Sequence, residues 1–383
     1  MSRFLIFLAL GWSTLHAETL LALPFFNHSG SPNMDWIGES IAETLRDAMT
    51  PEGVLVLDRT DRLEGYRQLS LRSGAELTHA SVLKLGESLD ASQVVYGSYD
   101  TPSKGTLRIA ARILDLKETT QGPEFSESGP LDDLAILEYR LTWDVLRQMH
   151  WKALPSLEQF MQARPPVRLD AVESYIRGLL AASPDQRHLF FTRAARLDPH
   201  YSQPCFQLGK SFWNRKDYKI AAGWLERVAR GDSHYLEAQF FLGLSRYNMA
   251  NFSGAEECFQ TVAAAVPLNE VFDDLGAAQS RLNQTGAAVV SFRKALDGDT
   301  NDPDYHFNVG YCLWRSNQFE GAVESFRAAL ERNPADLEAS TLLGRALKRE
   351  GPRPGDPKSE ARERLKTNYE EAAYRQLQAE LGK

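Results

Sequence analysis

Hydrophobic positions along the chain follow two rhythms, and the change falls near residue 150. In the first stretch the apolar runs are short. TLLALPFF (19–26) is closed by the turn-rich NHSGSPN (27–33), which predicts a strand and then a loop. Ile37, Ile41, Leu45 and Met49 recur every fourth residue and predict one buried helix face. GVLVLDR (53–59) reads as a strand, THASVLKLGESLDA (78–91) as a helix and QVVYGSYD (93–100) as a strand. In TLRIAARILD (106–115), Leu107, Ile109, Ala111 and Ile113 alternate with Arg108 and Arg112, the pattern of a half-buried strand. Leu131 to Met149 predicts a helix, and Pro155 and Pro165-Pro166 mark a linker over 151–170. Strands and helices mixed in this way predict an α/β domain over 18–150.

Beyond 170 the pattern repeats on a longer scale. FQLGKSFW (206–213), FFLGLSRY (240–247), DDLGAAQS (273–280), FNVGYCLW (307–314) and TLLGRALK (341–348) carry Gly209, Gly243, Gly276, Gly310 and Gly344, a spacing of 33 or 34 residues. A small residue follows the first four glycines (Ala221, Ala255, Ala288, Ala322), then a large apolar one (Leu225, Phe259, Phe292, Phe326). Pro199, Pro267 and Pro334 fall at the junctions, where proline stops a helix. Two antiparallel helices per unit approach closely at Gly310, Ala322 and Ala329, with Leu313 and Phe326 filling the space between. Asn317 and Glu320 read as a capping pair opening the second helix. One pair cannot bury its own apolar face, so pairs stack. The predicted class is α+β overall: a small α/β domain followed by an all-α superhelix.

These residues resemble the tetratricopeptide repeat family over 171–350. The units are a divergent 171–201, three residues short at AASPDQR, then 202–235, 236–268, 269–302 and 303–336, and a partial 337–350. GPRPGDP (351–357) breaks the chain. Residues 357–383 read as a C-terminal capping helix, whose stripe Ala361, Leu365, Tyr369, Ala373, Leu377 and Leu381 covers the end of the stack. In the first half LALPFFNHSG, WIGESIAETL, LDRTDRLEG, VVYGSY and LRIAARILDLKETTQG resemble the α/β domain of TolB-type amino-terminal regions and related flagellar and curli-secretion envelope proteins. That resemblance implies a protein-contact module of the bacterial envelope.

Composition narrows the function. With 383 residues and a formal charge of -8, the chain has no general electrostatic attraction for nucleic acid or anionic lipid. MSRFLIFLALGWSTLHAE reads as an export signal over 1–17: Arg3 is the positive start, Phe4 to Leu10 the apolar run, and Leu15-His16-Ala17 the cleavage site. The run is too short to span a bilayer, so the expectation is a periplasmic or secreted protein without a transmembrane segment. No cysteine sits after that run for lipid attachment, and Cys205, Cys258 and Cys312 read as buried thiols on helices. Phosphate loops, dinucleotide fingerprints, HExxH and GxSxG are missing, and the histidines lack metal-ligand spacing, so neither a catalytic residue, a metal nor a cofactor is expected. NHSGSPN, with His28, reads as a simple turn, and Asp273-Asp274 as part of a solvated face.

The repeat resemblance implies a ligand groove on the first helices. Carried onto this chain it consists of Phe206, Lys210, Trp213 and Asn214, then Phe240, Tyr247 and Asn248, then Phe307, Tyr311, Trp314 and Arg315. Rings in register beside amides and a cation suit an extended peptide, although the same rings also suit core positions between helices. The 269–302 unit departs from the row with Asp273, Ser280 and Arg281, and Phe206 stands where chaperone-binding members have the first basic residue of a carboxylate clamp. The expected function is a non-enzymatic scaffold binding protein or peptide partners. The alternative is a ligand-sensing or assembly role for the α/β domain.

Overall fold

The computed structural model describes residues 19–72, 74–152, 154–353 and 362–381, and the expected export signal lies outside them. The sheet is built from β1 (Thr19–Ala22), β2 (Phe26–Asn27), β3 (Leu55–Val56), β4 (Gln93–Ser103), β5 (Thr106–Asp115), β6 (Thr120–Gln121) and β7 (Phe125–Pro130). β3, β1 and β4 are parallel neighbours; β5 runs antiparallel to β4 and pairs with both β6 and β7. Helices α1 (Trp36–Met49), α2 (Arg59–Gln68), α3 (His79–Ser88) and α4 (Leu134–Gln148) cover both faces. Leu20 and Ala22 join Ile37, Ile41, Leu137 and Leu141 in one core, while Leu21 and Leu23 join Tyr66, Val82 and Leu85 in another. Burial on two sides is why β1 reads as a continuous apolar run.

The run 19–26 is nevertheless two strands, split at Pro24, which has no N–H for a ladder. GVLVLDR yields only Leu55–Val56 as strand, because the Asp58 side chain accepts from the Asp61 backbone N–H (2.9 Å) and starts α2 with a capping box. β7 carries no apolar alternation and was invisible in the pattern; FSESGP lies flat at the sheet margin with alternate residues exposed.

The stretch expected as a linker is packed. It contains α5 (Leu157–Gln162) with Phe160 fully buried, and Arg164 donates to Ala48 O (3.0 Å) and Glu52 (2.6 Å) at the end of α1. The helical pairs follow: α6 (Leu169–Leu180) and α7 (Pro184–Leu197), α8 (Ser202–Asn214) and α9 (Tyr218–Leu225), α10 (Tyr235–Asn248) and α11 (Phe252–Ala265), α12 (Asn269–Arg281) and α13 (Thr285–Gly298), α14 (Pro303–Arg315) and α15 (Phe319–Arg332), and then α16 (Leu337–Leu347), which has no second helix among the described residues. The glycine notches do what their spacing predicts. A Cβ on Gly209, Gly243, Gly276 or Gly310 would lie 2.5 to 2.9 Å from Leu225, Phe259, Phe292 or Phe326. The short first unit keeps the device, with Gly178 against Phe191 at 2.5 Å.

Each first helix from α8 onward ends on one residue in the left-handed region: Lys216 (φ 64°), Ala250 (61°), Asn283 (60°), Asn317 (58°) and Arg349 (55°). This corrects the reading of Asn317 and Glu320. Asn317 terminates α14, Gln318 is the residue before α15, and Glu320 pairs with Arg349 instead of capping. The three cysteines are free and buried on α8, α11 and α14, as expected.

The C-terminal reading also changes. Among the described residues only α17 (Glu371–Leu381) is helical, and 362–370 is irregular. Nor does this segment cover the end of the stack at α16. It runs back along the first helices until Arg375 reaches Asp58 and Asp61 of the α/β domain, both at 2.5 Å. Helical bonding gives way here to acceptors on those first helices, which take the backbone N–H groups of Arg364, Lys366 and Glu370. The α/β domain itself packs on the early repeats through α1 and α6, with Gln203 (3.3 Å) and Ser233 (3.0 Å) donating to Asp47.

One buried acid in this interior titrates near neutrality. Glu138 on α4 is 1% exposed, accepts from the Thr44 hydroxyl at 2.8 Å, and is pushed up by burial to about 7 from 4.5. The folded state thus keeps a proton that the unfolded chain has released, so its contribution to stability falls as pH rises from about 4.5 to about 7. Above that window the penalty is roughly 3 kcal/mol. Glu138→Gln is expected to raise the melting temperature clearly at a pH of about 8 and much less at about 5, as thermal melts of both proteins will show.

Candidate functional site

Residues 362–370 lie along the inner face formed by α10, α12, α14 and the start of α16. Their backbone is held by side chains. Asn308 on α14 accepts from Arg364 N (2.8 Å) and donates to Arg364 O (2.9 Å), so one amide clamps both polar groups of one residue. Both Asp273 oxygens in turn accept from Asn308 Nδ2 at 2.9 Å, which fixes the amide. Asp274 accepts from Lys366 N (2.8 Å) and Glu270 from Glu370 N (3.1 Å). At these three residues groove acceptors take the N–H groups that a helix would otherwise pair.

The side chains are matched as closely. Glu363 has a fully buried side chain and meets four groups: Arg281 Nε (2.6 Å), Arg315 Nη1 (3.2 Å), the Tyr247 hydroxyl (2.9 Å) and the Ser280 hydroxyl (2.7 Å). Arg364 sits 3.6 Å from the Phe307 ring centroid and pairs with Asp336 (2.6 Å), Asp304 (3.1 Å) and Glu338 (3.1 Å). Burial works against the Asp336 carboxylate, yet its hydrogen bonds with the Arg364 guanidinium hold it below the usual range. Lys366 pairs with Asp302 (2.7 Å) and Asp304 (2.9 Å). Tyr369 meets Phe240 edge-on at 5.1 Å.

The expected groove residues divide accordingly. Tyr247, Arg315, Phe307 and Phe240 touch the strip, and Tyr311 lies buried with Arg281 and Arg315 each 5.9 Å from its ring. Trp314 is core: it is fully buried and its Nε1 donates to Glu350 O (2.8 Å). Phe206 and Lys210 lie apart from the strip, the ring against His234 at 4.4 Å and the ammonium on Glu237 at 2.7 Å. Trp213 packs on Phe241 at 4.9 Å; Asn214 is exposed; Asn248 bonds its own helix at Leu244 O (2.8 Å).

The 269–302 unit, which departs from the aromatic row, supplies the decisive polar groups Asp273, Asp274, Ser280 and Arg281. Asp273 and Asp274 are fully buried, not solvated, and burial pushes both carboxyls well above their ordinary range. The available signal was the row of acids at first-helix starts, Glu270, Asp302, Asp304, Asp336 and Glu338, facing a basic R-E-R-L-K at 362–366.

Beside the strip a cavity of about 540 Å³ lies between α1, α2, α6, α8, α10 and α17, and the buried hydroxyls of Tyr175 and Tyr374 line it. NHSGSPN is a closed turn: Asn27 accepts from Ser29 N (2.9 Å) and donates to Asp35 (2.7 Å), leaving His28 beside Glu76 (3.2 Å). Among the described residues no cluster of metal-ligating side chains occurs and no helix is long and apolar enough to cross a membrane.

The family model of the tetratricopeptide repeat matches residues 303–336. That stretch, α14 with α15, is a tetratricopeptide repeat. Similar solved structures include YrrB, titled a TPR protein with an unusual peptide-binding site (21% identity, 42% of this chain, 84% of that one, TM-score 0.36). MamA from Desulfovibrio magneticus RS-1 (23%, 42% and 92%, TM-score 0.38) and MamA AMB-1 (21%, 45% and 96%, TM-score 0.38) are others. The comparison with curated proteins gives no match. Stacks of such repeats act as protein–protein interaction scaffolds, each unit adding area to one inner surface.

Proposed function

We propose that this chain is an exported, non-enzymatic scaffold of the bacterial envelope that binds an extended peptide segment of its partner along the first helices. The observation that carries this reading is the groove's handling of backbone: Asn308 grips both the N–H and the C=O of Arg364, and Asp274 takes a second N–H two residues on. Amide-to-backbone bonds recognise extended chain whatever its sequence, while flanking pockets choose side chains. Export rests on the amino-terminal signal pattern, and envelope residence on the TolB-type resemblance of the α/β domain.

The test is in-cell crosslinking followed by recovery of the tagged full chain from envelope fractions. Asn308→Ala is expected to reduce the crosslinked partner about tenfold, the loss of one or two backbone hydrogen bonds. Undiminished recovery removes the groove from the function. Amino-terminal sequencing of the same sample is expected to start at Glu18.

A further inference from the structure

Resting on that reading, we infer that the groove selects one chemical pattern, Glu-Arg-x-Lys-x-x-Tyr on a non-helical strip. Residues 363–369 are its resident occupant, and a partner binds by presenting the same pattern and displacing them. Four features carry this. The Glu363 pocket is built for a carboxylate, with two guanidinium groups and two hydroxyls converging on a side chain that has no exposure. One residue on, the pocket reverses sign: Asp304, Asp336 and Glu338 with the Phe307 face take a guanidinium. Two further on, Asp302 and Asp304 take an ammonium. The last position is aromatic, Tyr369 on Phe240. Opposite charges on adjacent residues reject a uniformly acidic or uniformly basic peptide, because either puts a like charge into one of the pockets.

Occupancy in the same chain also joins the groove to the α/β domain, since α17 continues from the strip and Arg375 binds Asp58 and Asp61. Displacement at the groove therefore loosens the ion pairs that Arg375 makes with Asp58 and Asp61 at the start of α2.

The experiment uses the full chain and a fluorescein-labelled peptide of residues 362–370. Glu363→Ala with Arg364→Ala and Lys366→Ala weakens the resident strip without touching the groove. The peptide is expected to bind this variant at least about tenfold tighter than wild type, because a resident occupying nine-tenths of grooves lowers apparent affinity by that factor. A peptide with Ala at the Glu363 position is expected to lose about tenfold on the same variant. Circular dichroism melts confirm that the variant is folded. Equal binding to both chains, no saturation of the variant, or indifference to the Ala peptide each overturns the proposal. So does a wild-type dimer that the variant dissolves, which means that the strip fills a neighbour's groove. If the peptide fails while partner recovery still depends on Asn308, the scaffold reading stands and this one falls; the reverse pattern removes the scaffold reading alone.

Discussion

Arg315→Ala is expected to release residues 362–370 from the groove. Glu363 is a carboxylate with no solvent contact, and two guanidinium groups, Arg281 at 2.6 Å and Arg315 at 3.2 Å, offset its burial. Removing one partner of a buried ion pair typically costs 3–5 kcal/mol, because the remaining charge stays desolvated. Here the strip has an alternative: it can leave and hydrate Glu363. The loss is therefore capped by the free energy of docking, and it appears as local opening and not as global unfolding. The backbone amides of Arg364, Lys366 and Glu370, bonded to Asn308, Asp274 and Glu270, report it directly. Their hydrogen exchange should accelerate roughly a hundredfold, corresponding to about 3 kcal/mol, while amides within α14 keep their protection. Glu363→Gln should do less, since Arg281 and Arg315 are each about one-fifth exposed and can take up water. Unchanged exchange in Arg315→Ala would sink the assignment of this pocket as the anchor of the strip.

The second large effect concerns the helix pairs. Phe326 is fully buried and its ring fills the notch at Gly310 and meets Phe307 at 5.8 Å, so Phe326→Ala is expected to cost about 3–5 kcal/mol. Gly310→Ala attacks the same contact from the other side. Its new Cβ would lie 2.9 Å from two atoms of the ring, which can shift only by displacing its own neighbours, and about 1–3 kcal/mol is lost. Gly344 holds the corresponding position in α16, yet among the described residues nothing stands within 4 Å of a Cβ placed there. Gly344→Ala should therefore stabilise by up to about 1 kcal/mol through helix propensity. Urea denaturation of the three variants checks the pattern. Equal destabilisation at Gly310 and Gly344 would mean that the notch is not a packing device.

Much of this was legible because its contacts are near in sequence. Ile37, Ile41, Leu45 and Met49 form one buried face, Leu107, Ile109, Ala111 and Ile113 another, and the notch-and-ring pairs recur at a fixed spacing. What was misread depended on distant partners. Asp273 and Asp274 have the signature of a solvated face until the chain returns from far downstream to bury them. The stripe from Leu365 to Leu381 has helical spacing throughout, but its first residues are not helical, because acceptors across the groove take N–H groups at Lys366 and Glu370.

The longer strands and helices, the superhelical stack and its glycine notches were written in the amino-acid pattern alone, since each depends on periodicity or on neighbours within a repeat or two. Occupation of the groove was decided only by tertiary structure. Its bonds join residues 56, 92 and 100 positions apart, and a polar side chain shows in a local pattern neither which charge it will meet nor whether water will be excluded around it.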